Sequence, residues 1–228
     1  MIFIILRNKK LTLKIKEMKY LPDEIPIFPL SGVVMFPNTF LPLNIFETRY
    51  VEMFKKALSS EQRLIGVIQP AQKIINKKKN DFYSVGCAGK IIKFEETEDG
   101  RFLVTLKGLR RFNLISEKTN ENNFKIAKVD WNKFESDSKE VHHNLSHTSL
   151  KKVLKKYFHL KNIKVNIDTI DTISDYNLSD QLTMVCPFSF EEKQLLLETH
   201  SLGKRNALLL SIIEMSIKEL DNSYVSKH

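Results

Sequence analysis

Ile25-Pro-Ile-Phe-Pro-Leu30, Val34, Phe36-Pro37, Leu41-Pro-Leu43 and Ile45-Phe46-Glu47-Thr-Arg49-Tyr50 form the most informative stretch of this chain. Two short apolar runs, at 25–30 and 40–46, are each interrupted by proline. A proline gives no hydrogen to a sheet ladder, so such runs read as strands at an edge, at a strand start or at a bulge. Ser31-Gly32 and Pro37-Asn38 supply the turns between them. A helical pattern follows at once over residues 47–58. Tyr50, Phe54 and Leu58 recur every fourth residue, and Val51 and Ala57 widen the stripe. Glu47 and Glu52 lie early and Lys55-Lys56 late, which suits the helix dipole.

The β character continues downstream. Residues 63–69 carry Leu64, Ile65, Val67 and Ile68, and the basic stretch 73–80 reads as a loop. Gly86 and Gly89 within 82–94 mark a bulged or coiled strand. Asp99-Gly100 closes a hairpin turn. Strand patterns return at 102–107, at 111–115 after Gly108, and at 124–131. About six strands with short turns predict a small barrel-like sheet. Beyond Trp131 the composition changes. Residues 133–147 are polar and read as a linker. Helical spacing then appears at 150–160, at 178–185 before Pro187, after the capping-box pair Ser189/Glu192, and at about 204–220. The expected class is α+β: a β part with one helix, then a helical bundle. The expected organisation is an N-terminal extension at 1–20, a β-barrel subdomain at 21–132, the linker at 133–147, a helical subdomain at 148–222 and a tail at 223–228.

With 228 residues the chain is long enough for one large domain or two small ones, at about 100–200 residues each. No apolar run reaches the roughly 18 residues of a membrane span. The formal net charge is +9, yet only seven of the 36 basic residues are Arg. A phosphate-binding footprint favours Arg, whose planar fork matches phosphate oxygens. The lysine excess, with abundant Asn and Ile, fits an AT-rich genome. Met1-Ile-Phe-Ile-Ile-Leu6 is short and precedes its basic residues, the reverse of a signal peptide. Translation is expected to begin at Met18, and the protein to be cytoplasmic. Cys87 and Cys186 are far apart in apolar surroundings, which predicts free buried thiols.

The motif set resembles one family. The stretch from Ile25 to Tyr50 looks like the N-terminal, or LON, domain of the ATP-dependent protease Lon. Val85-Gly86-Cys87, Asp99-Gly100-Arg101 and Gly108 with Arg110-Arg111-Phe112 are similar to its later strands and turns. Pro187-Phe188 and Glu192-Lys193-Gln194 resemble its helical part. The resemblance covers about residues 25–220 and implies a PUA-like pseudo-barrel followed by helices. In full Lon this domain helps to recognise and hold unfolded polypeptides and helps assembly. It also recurs alone in short bacterial proteins, and within the ubiquitin-ligase adaptor cereblon. Ending at His228, the chain is expected to be of the stand-alone bacterial type.

The residues themselves give no sign of an engine. A phosphate-cradling loop needs a glycine five positions before Gly-Lys-Ser/Thr. Gly89-Lys90 is followed by Ile91 and Gly203-Lys204 by Arg205, and neither has that glycine. Ser-x-x-Lys occurs at Ser136, Ser149 and Ser201, about as often as chance allows in so lysine-rich a chain. The expectation is therefore a non-catalytic protein without cofactor or metal. It would bind unfolded polypeptide or a protein partner and deliver substrates to a separate protease or chaperone.

Each candidate residue also has an ordinary role. Phe28, Pro29, Leu30, Phe36, Pro37 and Phe46 offer a peptide-binding surface, but packing and turns explain them more simply. Glu47 is expected to cap its helix or complement the dipole, and Arg49 to be structural. His142, His143 and His147 lack a matching acid or Cys, so they read as a solvated linker rather than a metal site. Lys77-Lys78-Lys79, Arg110-Arg111, Lys151-Lys152 and Lys155-Lys156, with Phe82-Tyr83 for stacking, define the alternative: a basic RNA- or ribosome-binding factor. No binding residues are assigned from the sequence.

Overall fold

A computed structural model describes residues 21–71, 81–138, 147–163 and 175–225. The β part comprises β1 (Glu24–Pro29), β2 (Phe40–Ile45), α1 (Thr48–Ser59), β3 (Leu64–Ile68), β4 (Val85–Glu96), β5 (Phe102–Thr119) and β6 (Lys125–Asp130). The sheet order is β2-β5-β4-β3-β1-β6, and β5 also pairs with β6. That extra pairing closes five strands into a barrel and leaves β2 outside it. All pairings are antiparallel except β1 with β3.

The prolines explain these positions. Pro42 sits in β2, which pairs with β5 alone among the described residues. Pro26 faces Ile126 of β6 before the pairing with β3 begins at Ile27. In both places the missing amide hydrogen costs no ladder bond on a second side.

Gly108 does not interrupt a strand, as the sequence pattern suggests; β5 runs unbroken through it for 18 residues. Its amide donates to Thr39 O and its carbonyl accepts from Asn38 N, both at 2.9 Å. A methyl at this position would collide with the Phe36 carbonyl. Glycine here allows two backbones to touch. The length of β5 matters for the architecture: residues 102–107 carry β2, and residues 113–119 close the barrel on β6.

Three apolar cores hold the molecule. Ile25, Ile27, Leu64, Ala88, Phe112 and Val129 of the sheet share the first, with Phe82 from outside the strands. Tyr50, Met53 and Phe54 of α1 pack on the other side of the sheet, against Ile65, Val67, Cys87 and Leu106. The third core belongs to the helices α2 (His147–Leu160), α3 (Asp175–Val185), α4 (Phe190–Glu198) and α5 (Leu202–Val225). It also takes in Val34, Phe36 and Val85 from the β part and Phe134 from the segment after β6. The α+β class and the order of barrel then helices agree with the sequence reading.

The polar stretch after Trp131 is more structured than its composition implies. A 3-10 segment covers Asn132–Ser138, and Phe134 within it is fully buried. The capping box forms as expected, with Ser189 Oγ accepting from Glu192 N and the Glu192 carboxylate accepting from Ser189 N. Residues 1–20, including Met18, lie outside the described residues, as do Lys77, Lys78, Lys79, His142 and His143. His147 opens α2.

Candidate functional site

The sequence candidates separate into buried and exposed groups. Phe28 and Phe36 are buried, as the packing role requires. Phe46 is not: it is 66% exposed, directly after the last residue of β2. Phe94 of β4 and Leu103 of β5 are also exposed, at 47% and 46%. The ladder brings these three into one corner. Ile45, the residue before Phe46, pairs with Phe102, and Phe102 pairs with Glu96. Leu103 lies between Asn44 and Glu95, while Phe94 pairs with Val104. Neighbouring residues of a strand face opposite ways, so Phe94 and Leu103 put apolar surface on both sides of this corner. Phe94 is braced from behind by Phe54, ring centroids 5.7 Å apart.

Beside this corner runs the outer edge of β2. Its second side has no strand partner among the described residues. An edge of this kind accepts an extended segment through main-chain hydrogen bonds. Glu47 and Arg49 border it. Glu47 occupies the N-cap position of α1 but makes no side-chain cap bond, so of the two roles expected from sequence, capping or complementing the dipole, the first is corrected. Its carboxylate instead accepts from Arg49 at 2.9 and 3.1 Å, and the Arg49 guanidinium lies 4.5 Å from the Tyr50 ring centre. Both side chains are about half exposed. They form a solvated charged rim next to the apolar corner.

The basic runs are placed differently. Arg111 is 1% exposed. It donates to both Asp137 oxygens and to the carbonyls of Leu197, Thr199 and His200. Arg110 donates to Phe134 O. Lys156 pairs with Asp221 at 2.7 Å. Phe82 is buried and unable to stack on a base. Arg111 and Phe82 are therefore removed from any phosphate or base contact, against the nucleic-acid alternative. Among the described residues, no group of three or more His, Cys, Asp or Glu could hold a metal. Burial pushes the Cys186 thiol up to about 12 and Cys87 well above its ordinary value, so neither is a thiolate nucleophile at neutral pH.

Sequence reasoning missed a polar seam between barrel and helices. Gln69 at the end of β3 donates to Phe190 O and Gln194 Oε1, and its own Oε1 accepts from Gly32 N. Gln194 donates to Val85 O and to Glu198. Lys193 Nζ donates to Gly32 O and Met184 O. These buried polar groups are paired across the two parts, which holds the parts in one orientation. The signal for the seam was weak. Polar residues among apolar neighbours at 193–194 are visible, but the partners of Gln194 lie up to 125 residues away.

Residues 24–215 match the family described as the ATP-dependent protease La (LON) substrate-binding domain. The chain belongs to that family. The Lon protease of Bacillus thuringiensis is 26% identical over 197 residues, covering 83% of this chain and 24% of that protein. The Lon protease of Escherichia coli K12 is 23% identical over 198 residues, covering 85% and 25%. The chain thus spans about a quarter of the length of these relatives. The N-terminal domain of a Mycobacterium avium complex Lon protease superposes with a TM-score of 0.60 at 16% identity, over 84% of this chain and 98% of that one. A Lon N-terminal domain protein from Xanthomonas campestris gives 0.56 at 23% identity, over 82% and 97%. These structures share the LON fold. The region matched is the substrate-binding domain of the family, with no catalytic domain found. The family's description as a substrate-binding domain supports a binding role. No described helix is long and apolar enough to cross a membrane.

Proposed function

We propose that this LON-domain chain binds extended segments of unfolded polypeptide and presents them to a separate protease or chaperone, without chemistry of its own. One observation carries the reading: an open strand edge, β2, adjoins three exposed apolar side chains, Phe46, Phe94 and Leu103. The edge would supply main-chain hydrogen bonds that any sequence can satisfy. The corner would select segments rich in apolar side chains, the feature that distinguishes unfolded from folded protein. Affinity is expected to be modest, because a disordered client loses conformational entropy when it is held.

The test is fluorescence anisotropy with a labelled, permanently unfolded polypeptide and, in parallel, labelled single-stranded RNA, each at low and high salt. Binding to the polypeptide that changes little with salt supports the reading. Binding to RNA alone, collapsing with salt as counterions are released, overturns it. Delivery is tested by recovering a protease or chaperone with the protein from its own cells.

A further inference from the structure

The outer edge of β2 lacks a donor at its centre. Phe40 lies opposite Lys107, so Thr39, one residue earlier, lies opposite Gly108. The Gly108 amide donates to Thr39 O at 2.9 Å, which marks this as a position where main-chain groups of the two strands face each other. Such positions alternate along an antiparallel pair. Leu41, Leu43 and Ile45 therefore turn their main-chain groups inward to β5, and Phe40, Pro42 and Asn44 turn theirs outward. Pro42 fits this assignment, because it has no amide hydrogen to give β5.

The outward row is uneven. It offers carbonyls at Phe40, Pro42 and Asn44, but amide hydrogens at Phe40 and Asn44 alone. Pro42 and Asn44 are exposed, so their side chains are also clear of the core. An extended segment laid along this row meets one proline. It exchanges bonds fully with Phe40 and Asn44 and gives an amide hydrogen to Pro42 O; its carbonyl opposite the proline ring turns to water. A second copy of β2 meets the gap twice. A twofold pair of edges is antiparallel, and in the register of fullest overlap the two Pro42 residues face each other with no bond between them. Shifted by two residues either way, each proline faces Phe40 or Asn44, and no facing pair is complete.

We propose that Pro42 reserves this edge for single extended segments of unfolded polypeptide by denying it to a second copy of the chain. The inference rests on the polypeptide-binding reading and adds how the site stays open between clients. A strand edge with every donor in place pairs readily with its own copies, and proline is one residue that blunts such pairing. Here its central position removes more from the copy-to-copy ladder than from the ladder with a client.

The experiment compares the full chain with Pro42→Ala, a change at an exposed, outward position. Sedimentation velocity at micromolar protein is expected to show the parent as a monomer and the variant as a concentration-dependent dimer. Excess unfolded polypeptide should return the variant to monomer. At nanomolar protein, anisotropy should show the variant holding the polypeptide about threefold more tightly, as for one main-chain hydrogen bond made in place of water. Pro42→Thr restores the same hydrogen on a strand-favouring residue and is read in the same way if Pro42→Ala fails to fold. Peptides N-methylated at one amide at a time should lose binding at every second position, the signature of an added strand. A restored amide that leaves the chain monomeric overturns the proposal. So does a parent that is itself a dimer, or a variant dimer that excess polypeptide fails to dissolve. If the every-second-position pattern holds while the Pro42 variants behave as the parent, the role of Pro42 fails and the edge-binding reading stands. If no unfolded polypeptide binds at all, both fail.

Discussion

Arg111 of β5 and Asp137 of the 3-10 segment form a two-pronged pair, Nη2 to Oδ1 at 2.7 Å and Nε to Oδ2 at 2.9 Å, with both side chains almost wholly buried. The guanidinium also lies 4.4 Å from the Phe134 ring centre. Removing the carboxylate leaves a buried cation without its counter-charge. Asp137→Asn is expected to cost about 3–5 kcal/mol of stability. Urea unfolding measures this, and a loss below about 1 kcal/mol would contradict the arrangement.

A second buried pair gives a pH dependence. Asp180 of α3 lies 2.7 Å from Arg205 Nε of α5. Burial pushes its carboxyl up to about 6, outweighing the attraction of Arg205 and Arg111. The folded protein therefore holds this proton more tightly than the unfolded chain does. The contribution is fully present below the unfolded value, about 3.9, and is lost as pH rises through about 6. Asp180→Asn should remove this decline. The urea midpoint of the variant, relative to the parent, should rise between pH 4 and pH 6, and a constant difference would refute the assignment.

Two glycines should respond in opposite directions. Gly108→Ala drives a methyl into the Phe36 backbone, which cannot yield without breaking the β5 contact. A loss of about 3 kcal/mol or more is expected. Gly203 lies in the first turn of α5 with only Ser201 Oγ nearby, at 3.8 Å. Gly203→Ala should raise stability by about 0.5 kcal/mol through helix propensity and a less flexible unfolded chain. Thermal melts of the two variants decide the signs.

Phe46 and Phe54 differ in the same way, one exposed and one fully buried. Phe54→Ala should destabilise the fold by about 3–5 kcal/mol. Phe46→Ala should leave stability within about 0.5 kcal/mol. If the corner holds clients, the same change should weaken polypeptide binding by about tenfold, an interface effect on the order of 1–2 kcal/mol. Unchanged binding in Phe46→Ala would remove the corner from the proposal.

Legibility in the sequence follows the range of the interactions. Proline positions in the first two strands, the stripe Tyr50-Phe54-Leu58 and the Ser189/Glu192 box were legible because each acts within a few residues. Arg111 was not. A basic pair looks the same whether it meets solvent or a carboxylate 26 residues later. Phe134 was hidden by its polar neighbours, since a single buried ring in a charged stretch has no periodicity. Gly108 read as a break because a glycine inside a strand pattern has two meanings, a stop or a close approach. Only the Phe36 backbone, brought alongside by β2, tells them apart. The edge and the apolar corner were likewise invisible until the register of β2, β4 and β5 placed Phe46, Phe94 and Leu103 at one corner, with Phe94 and Leu103 on its opposite faces.

The seam of Gln69, Gln194 and Lys193 also bears on how such a sequence can be inherited. A recombination event that joined this barrel to foreign helices would strand Gln69, Val85 O and Gly32 O without their partners. Exchange between the two halves of the gene is therefore penalised. Lineages would pass on barrel and helices together, as a single heritable block.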